Sequence, residues 1–160
     1  MEIEVKIAES EKEFQMCLTI RRQVFIIGQN ISEKLELDDD TISATSFLAM
    51  VSNEPIGTAR FRYTEFGVKL ERFAVLKTSR NLGVGKALVL FILNQLKNEK
   101  TIYLNAQESV ISFYSKLGFE KVGDIFIEAG IPHQKMIYNK IVWEDFTKSS
   151  INLLSFYKET

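Results

Sequence analysis

The residues best suited to chemistry lie in a short glycine-containing segment between a β-prone run and the most regular helical pattern in the chain. The segment reads Arg80-Asn81-Leu82-Gly83-Val84-Gly85-Lys86. Glycines at 83 and 85 let backbone N–H groups approach a ligand closely, and the first turn of the following helix adds N–H donors without intrahelical acceptors. Together with the charges of Arg80 and Lys86, these donors predict a phosphate-binding turn.

Two common nucleotide-binding patterns do not fit this turn. The dinucleotide fingerprint requires a third glycine where Leu88 stands, and the triphosphate loop requires glycine at Arg80 and a hydroxyl residue at Ala87. NAD and ATP are therefore not expected as ligands. The alternative left open is that the two glycines only permit a tight strand-to-helix turn.

Composition narrows the classes of partner. The chain has 160 residues, with 20 Lys plus Arg against 21 Asp plus Glu and a formal net charge of -1. Because it lacks a basic excess, neither nucleic acid nor a membrane surface is expected as a partner. Cys17 and His133 are single members of their types, so neither an intramolecular disulfide nor a typical Cys/His zinc site is expected, and we expect no metal. The acidic start of the chain is unlike a signal peptide, which favours a cytoplasmic protein.

Periodicity predicts the elements around the turn. Alternating apolar and charged residues predict a strand over 3–7, and a capping box of Ser10 and Glu13 begins a helix that we expect to reach Phe25. Residues 26–45 show no sustained period and predict a long irregular or partly helical segment. The remaining predicted elements are strands over 47–51, 56–63 and 68–75, a helix over 83–96, a strand over 101–106, a helix over 109–117, and strands over 119–128 and 133–140.

This order of elements is typical of an α/β sandwich around a mixed, twisted sheet. The chain is long enough for one domain, which we place at residues 1–140. Residues 141–160 form a C-terminal extension, in which we expect a short helix packed on the domain.

Three segments together resemble the GNAT superfamily of N-acetyltransferases. The pattern R-x-x-G-x-G over 80–85 resembles the family loop that binds the pyrophosphate of acyl-CoA. The strand 70–75 stands in the place of the family strand whose splayed end hydrogen-bonds the pantetheine arm. Ser112–Phe119, read as SFYSKLGF, resembles the family signature around a tyrosine near the coenzyme sulfur. The segment Glu128–His133, which contains GIPH, is similar to a small, mostly uncharacterised bacterial subgroup.

The resemblance implies an α/β fold with a GNAT-like mixed, mostly antiparallel twisted sheet flanked by helices on both faces. It implies transfer of an acetyl group from acetyl-CoA to a primary amine of a small molecule, by direct attack through a tetrahedral intermediate, and it allows a homodimer. The alternative is a non-catalytic acyl-CoA-binding sensor or interaction domain. The residues expected at the coenzyme are Phe73, Ala74, Val75, Arg80, Asn81, Leu82, Gly83, Val84, Gly85, Lys86, Asn105, Gln107 and Tyr114.

The chemistry of the reaction and the family resemblance together suggest roles for some of these positions and for one carboxylate. Tyr114 is the expected general acid that protonates the leaving thiolate, because a phenol is a plausible donor to that sulfur. The backbone N–H of Val75 is where the family stabilises the carbonyl oxygen. Many family members place Asn where Gln107 stands, so either Gln107 or Asn105 supplies that amide. Glu71 is the expected general base, with an ion pair to Arg60 or Arg72 as the alternative.

Three residues are expected at the acceptor. Arg21 and Arg22 carry guanidinium groups that suit a substrate carboxylate or phosphate, and His133 stands at the mouth of the last predicted hairpin. The alternative for the arginines is ion pairing with Glu36 or with the acidic run over 38–40. Cys17 falls on the apolar stripe of the first predicted helix, which favours a buried, inert thiol.

Overall fold

The computed structural model describes residues 1–37 and 43–140. The acidic run over 38–40 and the predicted C-terminal helix over 143–157 lie outside the described residues. The chain divides into two compact units, Met1–Ile102 and a second unit that begins at Tyr103. The single domain over 1–140 stays a prediction.

The first unit is built on four antiparallel strands that neighbour one another in chain order. The strands are β1 (Glu4–Ile7), β2 (Thr45–Val51), β3 (Glu54–Tyr63) and β4 (Val68–Val75). The helices are α1 (Glu11–Arg21), a π-helix (Arg22–Ile27), α2 (Glu33–Leu37) and α3 (Val84–Gln95), with a 3-10 turn at Lys77–Ser79. All of the strands predicted here are present within two residues of their expected bounds.

Helices cover both faces of this four-stranded unit. Leu48 of β2 packs in a cluster with Cys17 and Ile20 of α1. The neighbouring Phe47 points the other way, because successive strand residues alternate between faces, and its ring lies 5.8 Å from that of Phe91 in α3. The helix α1 therefore packs on one face and α3 on the other.

The first helix departs from the prediction of a regular helix up to Phe25. Its start is as expected, since Ser10 and Glu13 form a capping box. After Arg21 the chain continues as a π-helix, in which the Gly28 N–H donates to the Gln23 carbonyl at 3.0 Å, five residues back. The apolar spacing does not reveal this change, because a π-helix differs from an α-helix by one backbone hydrogen-bond step.

The strand β4 carries a bulge in its middle. Its register pairs Glu71 with Arg60 and Ala74 with Thr58, so β4 has two residues where β3 has one. One of these two β4 residues, Arg72, has a φ of 59°, in the left-handed region that side chains rarely adopt. Bulges of this kind bend a strand and redirect its side chains, and they occur often beside active sites.

The second unit contains three antiparallel strands in the order β5, β7, β6. Their bounds are Ile102–Gln107 for β5, Phe119–Glu128 for β6 and Ile131–Tyr138 for β7. The helix predicted over 109–117 is a 3-10 turn at Glu108–Val110 followed by α4 at Ile111–Ser115. The described residues thus hold helices and seven strands in mostly antiparallel pairs, which confirms the predicted α/β class.

Candidate functional site

The glycine turn forms an open, positively polarised end of α3. Gly83 is the N-cap of α3 with a φ of 86°, and no side chain caps the helix there. The first intrahelical bond runs from the Ala87 N–H to the Gly83 carbonyl at 3.0 Å, so the N–H groups of the first turn before it have no intrahelical acceptor. A side-chain atom added at Gly83 would meet no atom within 4 Å. The turn therefore offers backbone donors next to open space, which suits a phosphate.

The rest of the loop is tied to the end of β4. The exposed Arg80 donates through Nε to the Val75 carbonyl at 3.2 Å. Asn81 has a φ of 63°, and the exposed Leu82 stands beside it on the turn. A hydrogen bond within one unit therefore joins the end of β4 to the loop. The sequence analysis had predicted coenzyme contacts for each of these two segments separately.

A glycine that the sequence analysis overlooked places α3 against this strand. Gly57 pairs with Val75, and Phe73 and Ala74 precede that pair on β4. A Cβ at Gly57 would stand 2.8 Å from Val84 Cγ1 and 3.3 Å from Leu88 Cδ1. Only glycine allows α3 to approach β3 so closely. The available signal was a glycine inside a β-prone run, which often marks such an approach.

Glu71 lies in a cage of basic side chains. Its Oε2 accepts from Arg60 Nε at 2.7 Å, its Oε1 accepts from Arg62 Nε at 2.9 Å, and Lys69 Nζ is 3.6 Å away. Burial opposes the charged form, but the neighbouring cations and their hydrogen bonds outweigh it and lower the pKa of the carboxyl to about 2. A carboxylate with so low a pKa accepts protons poorly, so these contacts favour ion pairing over the role of general base.

The two arginines expected at the acceptor have different surroundings. Arg21 is buried, and it donates through Nε to Glu36 Oε1 at 2.6 Å and through Nη2 to the Glu36 carbonyl at 2.7 Å. The other oxygen of Glu36 lies 3.4 Å from Nε of the bulge residue Arg72. Arg22 is exposed and pairs with Glu33 at 2.7 Å. The sequence analysis left the pairing of Arg21 with Glu36 open as an alternative, but it did not anticipate that the pair is buried.

Tyr114 lies in the second unit, in a pocket of aromatic rings. Its ring meets those of Phe113 and Phe119 edge to face, at centroid distances of 4.9 Å and 5.9 Å. Burial raises the pKa of the phenol, so the hydroxyl is protonated at neutral pH and releases its proton less readily than an exposed phenol does. A protonated hydroxyl is what the role of general acid requires, although the role itself stays a prediction.

The remaining predicted residues also lie in the second unit. Asn105 and Gln107 are two apart on β5, so they face the same side of the strand, and Gln107 pairs with His133 of β7. His133 is buried. Its Nδ1 lies 2.7 Å from the Ile131 carbonyl, and its ring stacks on Phe126. These contacts hold the imidazole in one orientation.

Neither a metal-binding cluster nor a membrane-spanning helix is present over residues 1–37 and 43–140. No group of three or more His, Cys, Asp or Glu side chains in these ranges is placed to hold a metal ion. No helix in the same ranges has the length and apolar character needed to cross a membrane.

Known proteins resemble the chain over most of its length. The family described as the acetyltransferase (GNAT) domain matches residues 21–140. The uncharacterised protein YyaT of Bacillus subtilis is 38% identical over 138 residues, which cover 82% of this chain and 93% of that protein. The uncharacterised N-acetyltransferase YjcF of the same organism is 30% identical over 135 residues, covering 82% and 96%. The crystal structure of Escherichia coli ElaA superimposes with a TM-score of 0.77 at 25% identity, covering 86% of this chain and all of that one.

These matches agree with the segments that the sequence singled out. The glycine loop at the start of α3, the strand β4 and the segment around Tyr114 all fall within the matched residues 21–140. From the family match and the identity to its relatives, it follows that the chain belongs to the GNAT family of acyl-CoA-dependent acetyltransferases.

Proposed function

We propose that this protein transfers an acetyl group from acetyl-CoA to a primary amine of a small molecule. The observation that carries the proposal is the open N-terminus of α3, where Gly83 adopts a φ of 86° beside space free of protein atoms. Unpaired N–H groups at a helix start bind phosphate, and the coenzyme carries a pyrophosphate. Arg80 on the loop and Lys86 in the first turn of α3 supply positive charge nearby.

The reaction places negative charge first on the carbonyl oxygen and then on the leaving sulfur, and the protein must stabilise both. The protonated amine first loses one proton, and its neutral nitrogen then forms a bond to the carbonyl carbon. As the carbon–sulfur bond breaks, the nitrogen loses a second proton, and the products are the amide and a thiolate that takes up a proton. The backbone N–H of Val75 is our candidate donor to the carbonyl oxygen while that oxygen is negative. Tyr114 is our candidate proton donor to the thiolate, because a phenol carries a proton at neutral pH and is a plausible donor to sulfur.

A group other than Glu71 must accept the proton from the incoming amine. An alkyl amine has a pKa near 10 and is mostly protonated at neutral pH, so a base or water must remove the proton. Glu71 is held as an anion by Arg60 and Arg62, and it would accept that proton only at much lower pH. We therefore assign the proton to a water molecule and give Glu71 a role in holding β4.

The test compares two glycines with similar backbone conformations. Gly83 and Gly130 both have a positive φ, 86° and 75°, and a Cβ at either would meet no atom within 4 Å. Alanine at each costs stability on the order of 1 kcal/mol, because both positions are left-handed. We expect Gly83→Ala alone to weaken acetyl-CoA binding, on the order of tenfold, since its methyl group stands in the phosphate space. Calorimetric titration with acetyl-CoA measures the binding affinity of both variants.

Two results would count against the proposal. Equal loss of binding in Gly83→Ala and Gly130→Ala would show that the effect is one of backbone strain rather than of the loop. Binding of acetyl-CoA without release of free CoA, across a panel of primary amines, would instead favour the non-catalytic sensor.

A further inference from the structure

A cavity of about 940 Å³ lies within the first unit, beside the predicted coenzyme loop. One side is formed by α1 and the π-helix, and the other by the segment from Leu76 to Arg80 that leads from β4 toward α3. Its volume is in the range of pockets that hold small ligands. Of the residues that line it, only Arg80 was expected from the sequence to contact a ligand.

The lining of the cavity has a definite chemical character. Apolar side chains, among them the buried Ile20 and Val24, form part of it. The exposed Lys12, Lys77 and Arg80 are its cationic members, and the described lining residues include no Asp or Glu. A cavity with this lining suits an organic anion that has both a charged group and a less polar part.

The position of Arg80 connects the cavity to the coenzyme. Arg80 belongs both to the cavity lining and to the loop that we propose for the pyrophosphate. Besides its pyrophosphate, CoA carries a third phosphate on the 3′ hydroxyl of its ribose, and the α3 turn does not account for that group. Lys77 precedes Arg80 by three residues, and Lys12 lines the same cavity from α1.

We infer that Lys12 and Lys77 bind the 3′-phosphate of CoA in this cavity, an inference that rests on the proposed function. These lysines would then determine the preference for CoA over dephospho-CoA, which lacks only that phosphate. Exposed ion pairs are individually weak, each changing affinity by up to about fivefold, and the 3′-phosphate carries up to two charges. Removing both lysines should therefore lower the affinity for CoA on the order of tenfold.

The experiment is a calorimetric titration of each protein with CoA and with dephospho-CoA. The test protein is the double variant Lys12→Gln, Lys77→Gln, and the control is Lys34→Gln, an exposed lysine of α2 outside the cavity lining. Glutamine retains most of the side chain and removes the charge. Titration at about 0.15 M salt limits the influence of distant charges, because the screening length is then about 8 Å.

The inference predicts that wild-type protein prefers CoA to dephospho-CoA and that the double variant loses this preference, while its affinity for dephospho-CoA changes less than about twofold. Lys34→Gln should keep the preference. An unchanged preference in the double variant, or an equal loss of affinity for both ligands, would overturn the inference and leave the proposed function standing. Failure of wild-type protein to bind either ligand would overturn both.

Discussion

The surroundings of Glu71 show how neighbouring charges outweigh burial at a single carboxylate. An isolated buried carboxyl has a raised pKa, but Glu71 has its pKa lowered from 4.5 to about 2 because Arg60 and Arg62 donate to its two oxygens. The folded state therefore binds a proton at this site less readily than the unfolded state. It follows that the ion pair stabilises the protein above about pH 4.5 and that this contribution is lost as the pH falls toward 2.

We expect Glu71→Gln to lower the free energy of unfolding by roughly 3 kcal/mol at pH 7. The difference from wild type should shrink by about 2 kcal/mol between pH 7 and pH 3, because protonation removes the same charge from the wild-type protein. Urea unfolding over this pH range measures the effect. Glu65→Gln, at an exposed position, is the control and should change stability by less than about 0.5 kcal/mol throughout. A difference that stays constant with pH would contradict the ionic origin.

Tyr114 shows a pKa shift in the opposite direction, because burial raises the pKa of its phenol. If the phenol protonates the leaving thiolate, Tyr114→Phe should lower kcat on the order of 100-fold and leave the Kd for acetyl-CoA within about twofold. Tyr103→Phe removes another buried phenol of the same unit, one outside the proposed site, and should leave kcat unchanged. Steady-state kinetics and calorimetry together separate the two effects. A Tyr114→Phe protein with wild-type kcat would remove Tyr114 from the mechanism.

At the scale of elements, the contact between β3 and α3 positions the loop that we propose for the coenzyme. The helix begins at Val84, and Val84 is also the residue that would meet a Cβ at Gly57, at 2.8 Å. The same contact therefore fixes both the approach of the helix and the position of its open N-terminus. Because protein interiors are close-packed, even one additional methyl group here must displace the helix or the strand.

Gly57→Ala should destabilise the protein by about 1 to 3 kcal/mol through overpacking. Val84→Ala removes the opposing methyl groups and leaves space for the new methyl group at position 57. In the Val84→Ala background, Gly57→Ala should therefore lower the free energy of unfolding by less than half as much. A double-mutant cycle by urea unfolding measures this coupling. Strictly additive effects would show that the strain lies elsewhere than between these two side chains.

Much of the element pattern could be predicted because it has a regular period. Strands over 47–51, 56–63 and 68–75 and the helix over 83–96 were expected, and the structure has them at Thr45–Val51, Glu54–Tyr63, Val68–Val75 and Val84–Gln95. The π-helix and the bulge at Arg72 were not expected, since each arises from one shifted backbone hydrogen bond or one extra residue and leaves the side-chain period nearly intact.

The candidate site was predictable to a smaller extent, for a related reason. The loop residues 80–86 form a continuous segment, so their types and order could be read directly. The partners of Glu71 depend on strand register, and the buried Arg21–Glu36 pair joins α1 to α2 across a segment without a clear period. The cavity wall contributed by Lys12 depends on where α1 packs, which the sequence does not specify.

At the scale of the molecule, the two units carry different parts of the proposed chemistry. The first unit holds the glycine loop, the bulged strand and the cavity, and the second holds Tyr114 and the β5 amides. Each has its own buried residues, such as Leu88 and Ile92 in the first and Phe119 and Met136 in the second. The glycine loop and the candidate proton donor can therefore be altered by substitutions in separate units.

The buried position of Cys17 has a practical consequence for measuring turnover. It is the single cysteine of the chain, it is 3% exposed, and burial raises the pKa of its thiol. The reactive form of a thiol is the thiolate, so a disulfide dye added to the folded protein will react with released CoA and hardly with the enzyme. The same dye added without substrate reacts only when α1 lifts away from β2. The rate of this slow colour change then measures how often the first unit opens.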